Sequence, residues 1–341
     1  MSIRSLFSLF SKDVGIDLGT ANTVVYVQGE GIVVSEPSVV AIDQTTQNVM
    51  AIGNDAYEMV GRTPGNIVAV RPMKDGVIAN FNVAEKMIQA FIEKAKGVKK
   101  IGKPRILIGV PWGITDVEKR AVIESAYQAG AREVILIEEP MAAAVGAGIP
   151  VLEPQGHMVV DIGGGTTEIA VISLGGIVVC KSSRVAGDEF NDAIVQNCRK
   201  NYNLLIGERM AENIKFQIGS AYPFEHELEI KVRGRDLLNG LPKTFTINSM
   251  EIRDSISEYV TTIIDAVKIT LEHTPPELAG DITQKGIMLT GGGSLLKGLD
   301  KRIQDETGLP VTVAKDPLSC VAIGTGRILE ENLLGKLTIG V

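Results

Sequence analysis

Cysteine and histidine are scarce, with three of each in 341 residues. Cys180, Cys198 and Cys320 form no CxxC pair and are odd in number, and His157, His226 and His273 lie far apart. Neither a disulfide framework nor a Cys/His metal centre is expected, and a reducing cytoplasm suits such a chain. No apolar run approaches the roughly 18 residues that a membrane-spanning helix needs. The opening MSIRSLFSLF carries no small-residue cleavage pattern and is followed at once by Lys12-Asp13, so a cleaved signal peptide is not expected. Positive charge is in deficit: 34 Lys and Arg against 41 Asp and Glu leave a formal charge of -7, which argues against nucleic acid as a partner. No GxxxxGKS/T loop occurs, and this excludes a P-loop ATPase on motif grounds.

What the chain does have is a regular alternation of glycine-punctuated apolar runs with helical patterns, from Val14 to Leu329. That is the pattern of an α/β protein, and a chain this long and 45% hydrophobic is expected to form two or more lobes. VGIDLGTANTVVYV, from Val14 to Val27, reads as strand, glycine turn, strand. MVVDIGGGTTEIAVISL, from Met158 to Leu174, has the same grammar, so Asp161 repeats Asp17 at a distance of 144 residues. Two similar lobes facing one another would make a cleft with one hairpin on each wall. A Gly-Thr turn alone is better explained as plain structure. Three consecutive glycines, Gly163 to Gly165, sacrifice chain entropy with no packing gain, and close backbone approach to a ligand explains them. A third triplet, Gly291 to Gly293, also follows an apolar strand and leads to Ser294 as the expected N-cap of a helix.

Asn82-Val-Ala-Glu85, Thr115-Asp-Val-Glu118 and Asn248-Ser-Met-Glu251 each place a capping residue three before a glutamate and predict helix starts. The third opens the longest helix, in which Ile252, Ile256, Val260, Ile263, Val267 and Leu271 recur on one face until Pro275-Pro276 end it. Alternation between Glu225 and Ile247 predicts an antiparallel hairpin inserted in the second lobe. Four subdomains in two pairs are expected.

These motifs occur in the order found in the actin, hexokinase and Hsp70 ATPase superfamily: two Asp-x-Gly hairpins, a Glu139-Pro-Met-Ala-Ala143 helix start, and a late Thr-Gly-Gly-Gly-Ser turn. Within it, IDLGTANT, EPSVVAI, GRTPGNI, RPMKDGVIANF, VEKRAV, IEEPMAAAVGAG and DIGGGTTEIAVISLGGIV closely resemble the MreB family of bacterial actins, from about Asp13 to Gly335. The resemblance implies an actin-like duplicated ATPase fold, with two lobes of two subdomains each around a nucleotide cleft. Residues 13–150 form the first lobe, with an insertion around 32–78, and residues 151–341 form the second, with a small inserted subdomain around 185–250.

The resemblance also implies roles. Asp17 and Asp161 hold the nucleotide's Mg²⁺ through water, and Gly19, Thr20, Ala21 and Asn22 donate to the β- and γ-phosphates. Gly163, Gly164, Gly165, Thr166 and Thr167 form the opposing phosphate loop, with Thr167 near the γ-phosphate. Glu212 and Lys215 reach the ribose and adenine side, and Gly291, Gly292, Gly293 and Ser294 lie against adenine and ribose. Glu139 orients the attacking water. Glu138 competes for that role, but Glu139 directly precedes Pro140, which is expected to hold it extended and pointing into the cleft. Phosphoryl transfer needs little beyond a placed water and a neutralising metal.

The activity implied is slow ATP hydrolysis coupled to filament dynamics, in a homopolymer that lies on the inner face of the cell membrane and organises cell-wall synthesis to maintain shape. An Hsp70-type chaperone would need a peptide-binding domain, and only a short tail follows Gly326. A sugar kinase would need an Asp base and an acceptor pocket, which no motif marks. A plasmid-partitioning filament would not need the basic, apolar N-terminus. There, Ile3, Leu6, Phe7 and Phe10 fall at i, i+3, i+4 and i+7, with Arg4 and Lys12 supplying charge, and residues 1–12 read as an amphipathic membrane anchor. The lysine-rich loop at residues 96–103 is a second candidate contact. Trp112, after Gly109-Val-Pro111, reads as one more partly buried aromatic.

Overall fold

The computed structural model describes residues 12–98 and 103–337. The proposed anchor residues Ile3, Leu6, Phe7 and Phe10, and the middle of the lysine-rich loop, lie outside them. The first half begins with a meander of β1 (Val14–Leu18), β2 (Asn22–Val27) and β3 (Gly31–Pro37). A small three-stranded sheet follows, built from β4 (Val40–Asp43), β5 (Val49–Ile52) and β6 (Ile67–Val70), with helix α1 (Asn54–Met59) packed on it. The ribbon β7 (Met73–Lys74) and β8 (Val77–Ile78) leads to α2 (Phe81–Val98), β9 (Arg105–Val110), α3 (Asp116–Gln128), β10 (Glu133–Glu138) and α4 (Glu139–Gly146). The main sheet has the order β10-β9-β1-β2-β3: three antiparallel strands extended by two parallel ones.

The second half repeats that plan. β11 (His157–Ile162), β12 (Thr167–Ser173) and β13 (Gly176–Ser183) form the meander. After them come α5 (Gly187–Tyr202), β14 (Leu204–Leu205), α6 (Glu208–Ile218), β15 (Glu229–Asp236), β16 (Pro242–Asn248), α7 (Ser249–Glu272), α8 (Pro276–Lys285), β17 (Ile287–Thr290), α9 (Leu299–Thr307), β18 (Val311–Val313) and α10 (Cys320–Glu330). The sheet order is β13-β12-β11-β17-β18, again with two parallel strands added to an antiparallel meander. The half-chain repeat of Asp17 at Asp161 is therefore a repeat of topology. The predicted inserted hairpin is β15–β16, which pairs with β14 in a separate small sheet.

Each half has its own core, and a third apolar cluster joins them. It holds Ile137, Met141 and Ala142 to Ala144 from the first half with Val159, Ala170, Ile172, Val321 and Ile328 from the second. α4 and α10 cross there at their backbones. A Cβ on Gly146 would overlap the Cys320 carbonyl, and one on Gly324 the Ala142 carbonyl. Only glycine permits such an approach.

The capping boxes at Thr115 and Asn248 are present, and α7 buries Ile252, Ile256, Val260, Ile263 and Val267 with Leu271 packed against the same core. Two expectations are corrected. α2 starts at Phe81, and Asn80, not Asn82, accepts from the Val83 N–H at 3.2 Å. Ser294 caps no α-helix: it sits in a 3₁₀ turn, Gly292–Leu295, and its hydroxyl donates to the Gly291 carbonyl at 2.7 Å.

Candidate functional site

The β1–β2 and β11–β12 turns meet tip to tip. A Cβ on Gly164 would lie 2.6 Å from the Ala21 Cβ, and one on Gly165 would lie 2.7 Å from the Thr20 hydroxyl and 3.0 Å from the Asp75 N–H. Both are closer than real side chains come, so the walls approach this far only because the loop has no side chains. Between them opens a cavity of about 400 Å³. Asp17, Gly19, Thr20, Ala21 and Asn22 line it from the first half. Asp161, Gly163, Gly164, Gly165, Thr166, Glu212, Lys215, Gly291, Gly292 and Gly293 line it from the second, and Glu139 lies in its lining as well.

Two residues expected in the site are not in that lining. Thr167 is fully buried behind the loop, and its hydroxyl donates to the Val185 carbonyl at 2.7 Å, so the threonine facing the cavity is Thr166. Thr167 is already the first residue of β12, paired with Ile162. Ser294 is turned back on its own loop, as described above. Glu139 needs a smaller correction: it is the first residue of α4, and the extended residue before it is Glu138, with φ -63° and ψ 131°. Glu139 reaches the cavity from the helix start, and Glu138 does not line it.

The site is an island of buried acid. Burial, with the Asp161 charge added to it, pushes the Asp17 carboxyl up to about 8. Burial also pushes Asp161 up to about 6, against the hydroxyl of Thr290, which donates to its Oδ1 at 2.7 Å. Glu139 stands well above the ordinary carboxylate range, through burial and then through Glu168, Asp17 and Asp161. Burial raises all three, and neighbouring negative charge adds to it at Asp17 and Glu139. Asp17 and Asp161, set beside the glycine turns of the cavity, fit a cation that arrives with a polyphosphate, which also brings oxygen ligands of its own. Among the described residues no group of three or more His, Cys, Asp or Glu is placed to hold a metal by itself.

Sequence reading missed Glu168, Asp188 and an apolar rim. Glu168 faces Asp161 across the hairpin register, is pushed up to about 8 by burial, and accepts the Trp112 N–H at 2.7 Å. The Trp112 side chain, expected to be partly buried, is exposed. Asp188 opens α5 beside Lys215, whose ammonium donates to the Gly187 carbonyl at 3.0 Å and is held below its usual range by burial. Phe216, Leu295 and Leu318 line the cavity while remaining largely exposed, which suits the flat face of a base.

The MreB/Mbl protein family matches residues 11–335 of the chain. The chain belongs to the MreB/Mbl family. The cell shape-determining protein MreB of Escherichia coli (strain K12) is 57% identical over 333 residues, which are 96% of this chain and 96% of that protein. The cell shape-determining protein Mbl of Bacillus subtilis (strain 168) is 52% identical over 323 residues, 95% of this chain and 97% of that one. Among solved structures, MreB5 of Spiroplasma citri bound to ADP superposes with a TM-score of 0.90 at 42% identity, covering 95% of this chain and 98% of that chain. The duplicated sheets of this MreB/Mbl chain are thus the actin-like α/β fold that the order of motifs implied.

Proposed function

We propose that this chain is an ATP-hydrolysing, actin-like filament subunit that acts at the inner face of the cell membrane, where it organises wall synthesis and maintains cell shape. The observation that carries this reading is the facing of two Asp-Gly hairpins across one cavity with Glu139 in its lining. Membership in a family whose relatives are named for cell-shape determination, and the ADP held by MreB5, support it. The backbone N–H groups of Gly19 to Asn22 and of Gly163 to Thr166 take the phosphates, and Thr166 replaces Thr167 beside the γ-phosphate. Asp17 and Asp161 would hold Mg²⁺, and the cation would supply charge neutralisation when bound. Glu139 accepts a hydrogen bond from the attacking water and orients it. Glu212 and Lys215 address the sugar, and the Phe216, Leu295 and Leu318 rim addresses the base. The chain acts as two lobes, residues 13–150 and 151–341, hinged around that cavity.

Head-to-tail contact between identical subunits gives open filaments when its rotation does not close a ring. Among the described residues no helix is long and apolar enough to cross a membrane. In this reading the amphipathic sequence of residues 1–12 makes the attachment. Its root is firmly held: Lys12 pairs with Glu30, and Asp13 pairs with Arg105 and Arg132. Arg105 opens the strand that follows the lysine-rich loop, so both candidate membrane contacts leave the body from neighbouring points. A single anchor of four apolar side chains binds weakly, and many on one polymer bind by avidity.

Phosphate release and sedimentation with anionic vesicles, measured on the same preparations, test the reading. Hydrolysis requires Mg²⁺, and vesicle binding in ATP falls when residues 1–12 are removed or when Phe7→Glu is introduced. ATP affinity unchanged by excess chelator would sink the metal assignment. Equal vesicle binding by all three proteins would move the membrane contact to the lysine-rich loop.

A further inference from the structure

The small sheet inserted in the first half is bound to the second half through helix α6. Tyr57 in α1 donates its hydroxyl to Oε2 of Glu212. The Arg209 guanidinium stacks over the Tyr57 ring at 4.8 Å and donates to the Glu58 carbonyl at 3.1 Å. Arg71, just beyond β6, donates from Nε and Nη2 to Glu208 Oε1 at 2.9 and 2.5 Å. All of these contacts join residues 57–71 to the first turns of α6, across 137 residues of sequence or more.

Glu212 stands at both ends of this arrangement, because its carboxylate takes the Tyr57 hydroxyl and also lines the cavity. With Oε2 engaged, Oε1 is left to accept from a sugar hydroxyl. Lys215, three residues on, lies on the same face of α6 and lines the same cavity. A glutamate side chain is flexible, and a donor at its far oxygen removes the rotamers that point away from a ligand. The phenol remains a donor at every physiological pH, since burial and the Glu212 charge push it up to about 12.

We propose that Tyr57 is a positioning residue for the nucleotide sugar: it fixes Glu212 toward the ribose hydroxyls and, with the Arg71–Glu208 pair, latches the inserted sheet to α6 while nucleotide is bound. This rests on the nucleotide reading above. The latch slows nucleotide release, because a departing sugar has to give up a carboxylate that the first half holds in place. The Tyr57–Glu212 bond dominates, since it is shielded and charge-assisted, and the Arg71–Glu208 pair contributes less because Glu208 is largely solvated.

The test is the release rate of phosphate-labelled ATP, loaded with Mg²⁺ on the full chain and chased with unlabelled nucleotide. Tyr57→Phe keeps the ring under Arg209 and removes only the hydroxyl. It is expected to speed ATP release about tenfold, equivalent to about 1.4 kcal/mol. Release of 2′,3′-dideoxy-ATP, which lacks the hydroxyls that Glu212 would address, is expected to change little. Arg71→Glu and Glu208→Arg should each speed release a few-fold, and the double exchange should restore it. The latch is overturned if Tyr57→Phe releases ATP at the parental rate. Equal acceleration of ATP and the dideoxy analogue overturns the sugar-positioning role. A parental protein that retains no labelled ATP at all overturns the nucleotide reading, and the latch with it.

Discussion

The two aspartate hairpins hold equivalent places in equivalent sheets, yet they are built by different means. The first is braced by side-chain hydroxyls: Thr20 accepts the Gly76 N–H at 2.9 Å, and Ser38 donates to the Gly19 carbonyl at 2.7 Å and pairs with Thr23 at 2.9 Å. The second is braced by backbone, with Gly187 and Asp188 at the start of α5 donating to the Gly163 and Gly164 carbonyls at 3.2 and 2.8 Å. Their acids differ in the same way. Asp17 rises to about 8 through burial and the Asp161 charge, whereas the Thr290 hydroxyl holds Asp161 down to about 6. A duplicated fold therefore gives two unlike walls, one that presents side chains and one that presents bare main chain.

The largest effect should come from removing the group that belongs to neither wall. Glu139→Ala is expected to lower single-turnover phosphate release about 1000-fold while ATP binding persists. Glu138→Ala should leave the chemical step nearly intact. If the two results are exchanged, the water-orienting role belongs one residue earlier.

Next comes the contrast between bare and clothed walls. Gly165→Val drives a side chain into the Thr20 hydroxyl and the Asp75 backbone, and it should weaken ATP binding about 100-fold, or about 2.7 kcal/mol, by titration calorimetry. Ala21→Gly on the facing wall removes one methyl and should cost less than a factor of ten. Comparable losses at both positions would erase the distinction between the hairpins.

The smallest effect concerns protons. Both aspartates are raised in the fold above their ordinary 3.8, so between that pH and their folded values the native chain binds more protons than the unfolded one. Stability of the nucleotide-free, metal-free protein should then fall as pH rises from about 4 to 8, by a few degrees in Tm. Thr290→Val, which frees Asp161 to rise further, should extend the fall toward higher pH, and Mg²⁺ with ADP should flatten it. A Tm that climbs steadily over this range contradicts the buried-acid account.

Much of this was legible in the sequence. Strand, glycine turn and strand announced both hairpins, the capping boxes at Thr115 and Asn248 fixed two helix starts, and the motif order announced the actin-like fold. What escaped did so for local physical reasons. In the second turn, which of two adjacent threonines faces the cavity depends on where β12 begins, and a period-two pattern shifted by one residue inverts the answer. Asn80 and Asn82 are both good caps, and the tertiary entry of the chain chose the earlier one. Glu168 carries no motif of its own, and its burial opposite Asp161 shows only once the two strands pair. Tyr57 and Glu212 are 155 residues apart, and nothing local to either predicts their bond.

The crossing of α4 and α10 limits how the two helices can move against each other. With the carbonyls of Ala142 and Cys320 where a methyl group would have to go, the two helices can neither slide through one another's side chains nor be spaced apart without opening a void. Pivoting about the point of closest approach is the motion that disturbs their packing least. Such a joint would act as the fulcrum of a pair of tweezers: a slight turn there would become a longer stroke wherever the arms reach farther out. A single added methyl at Gly146 or Gly324 would act as a wedge in that fulcrum, biasing the angle of the arms without touching any residue that meets a ligand.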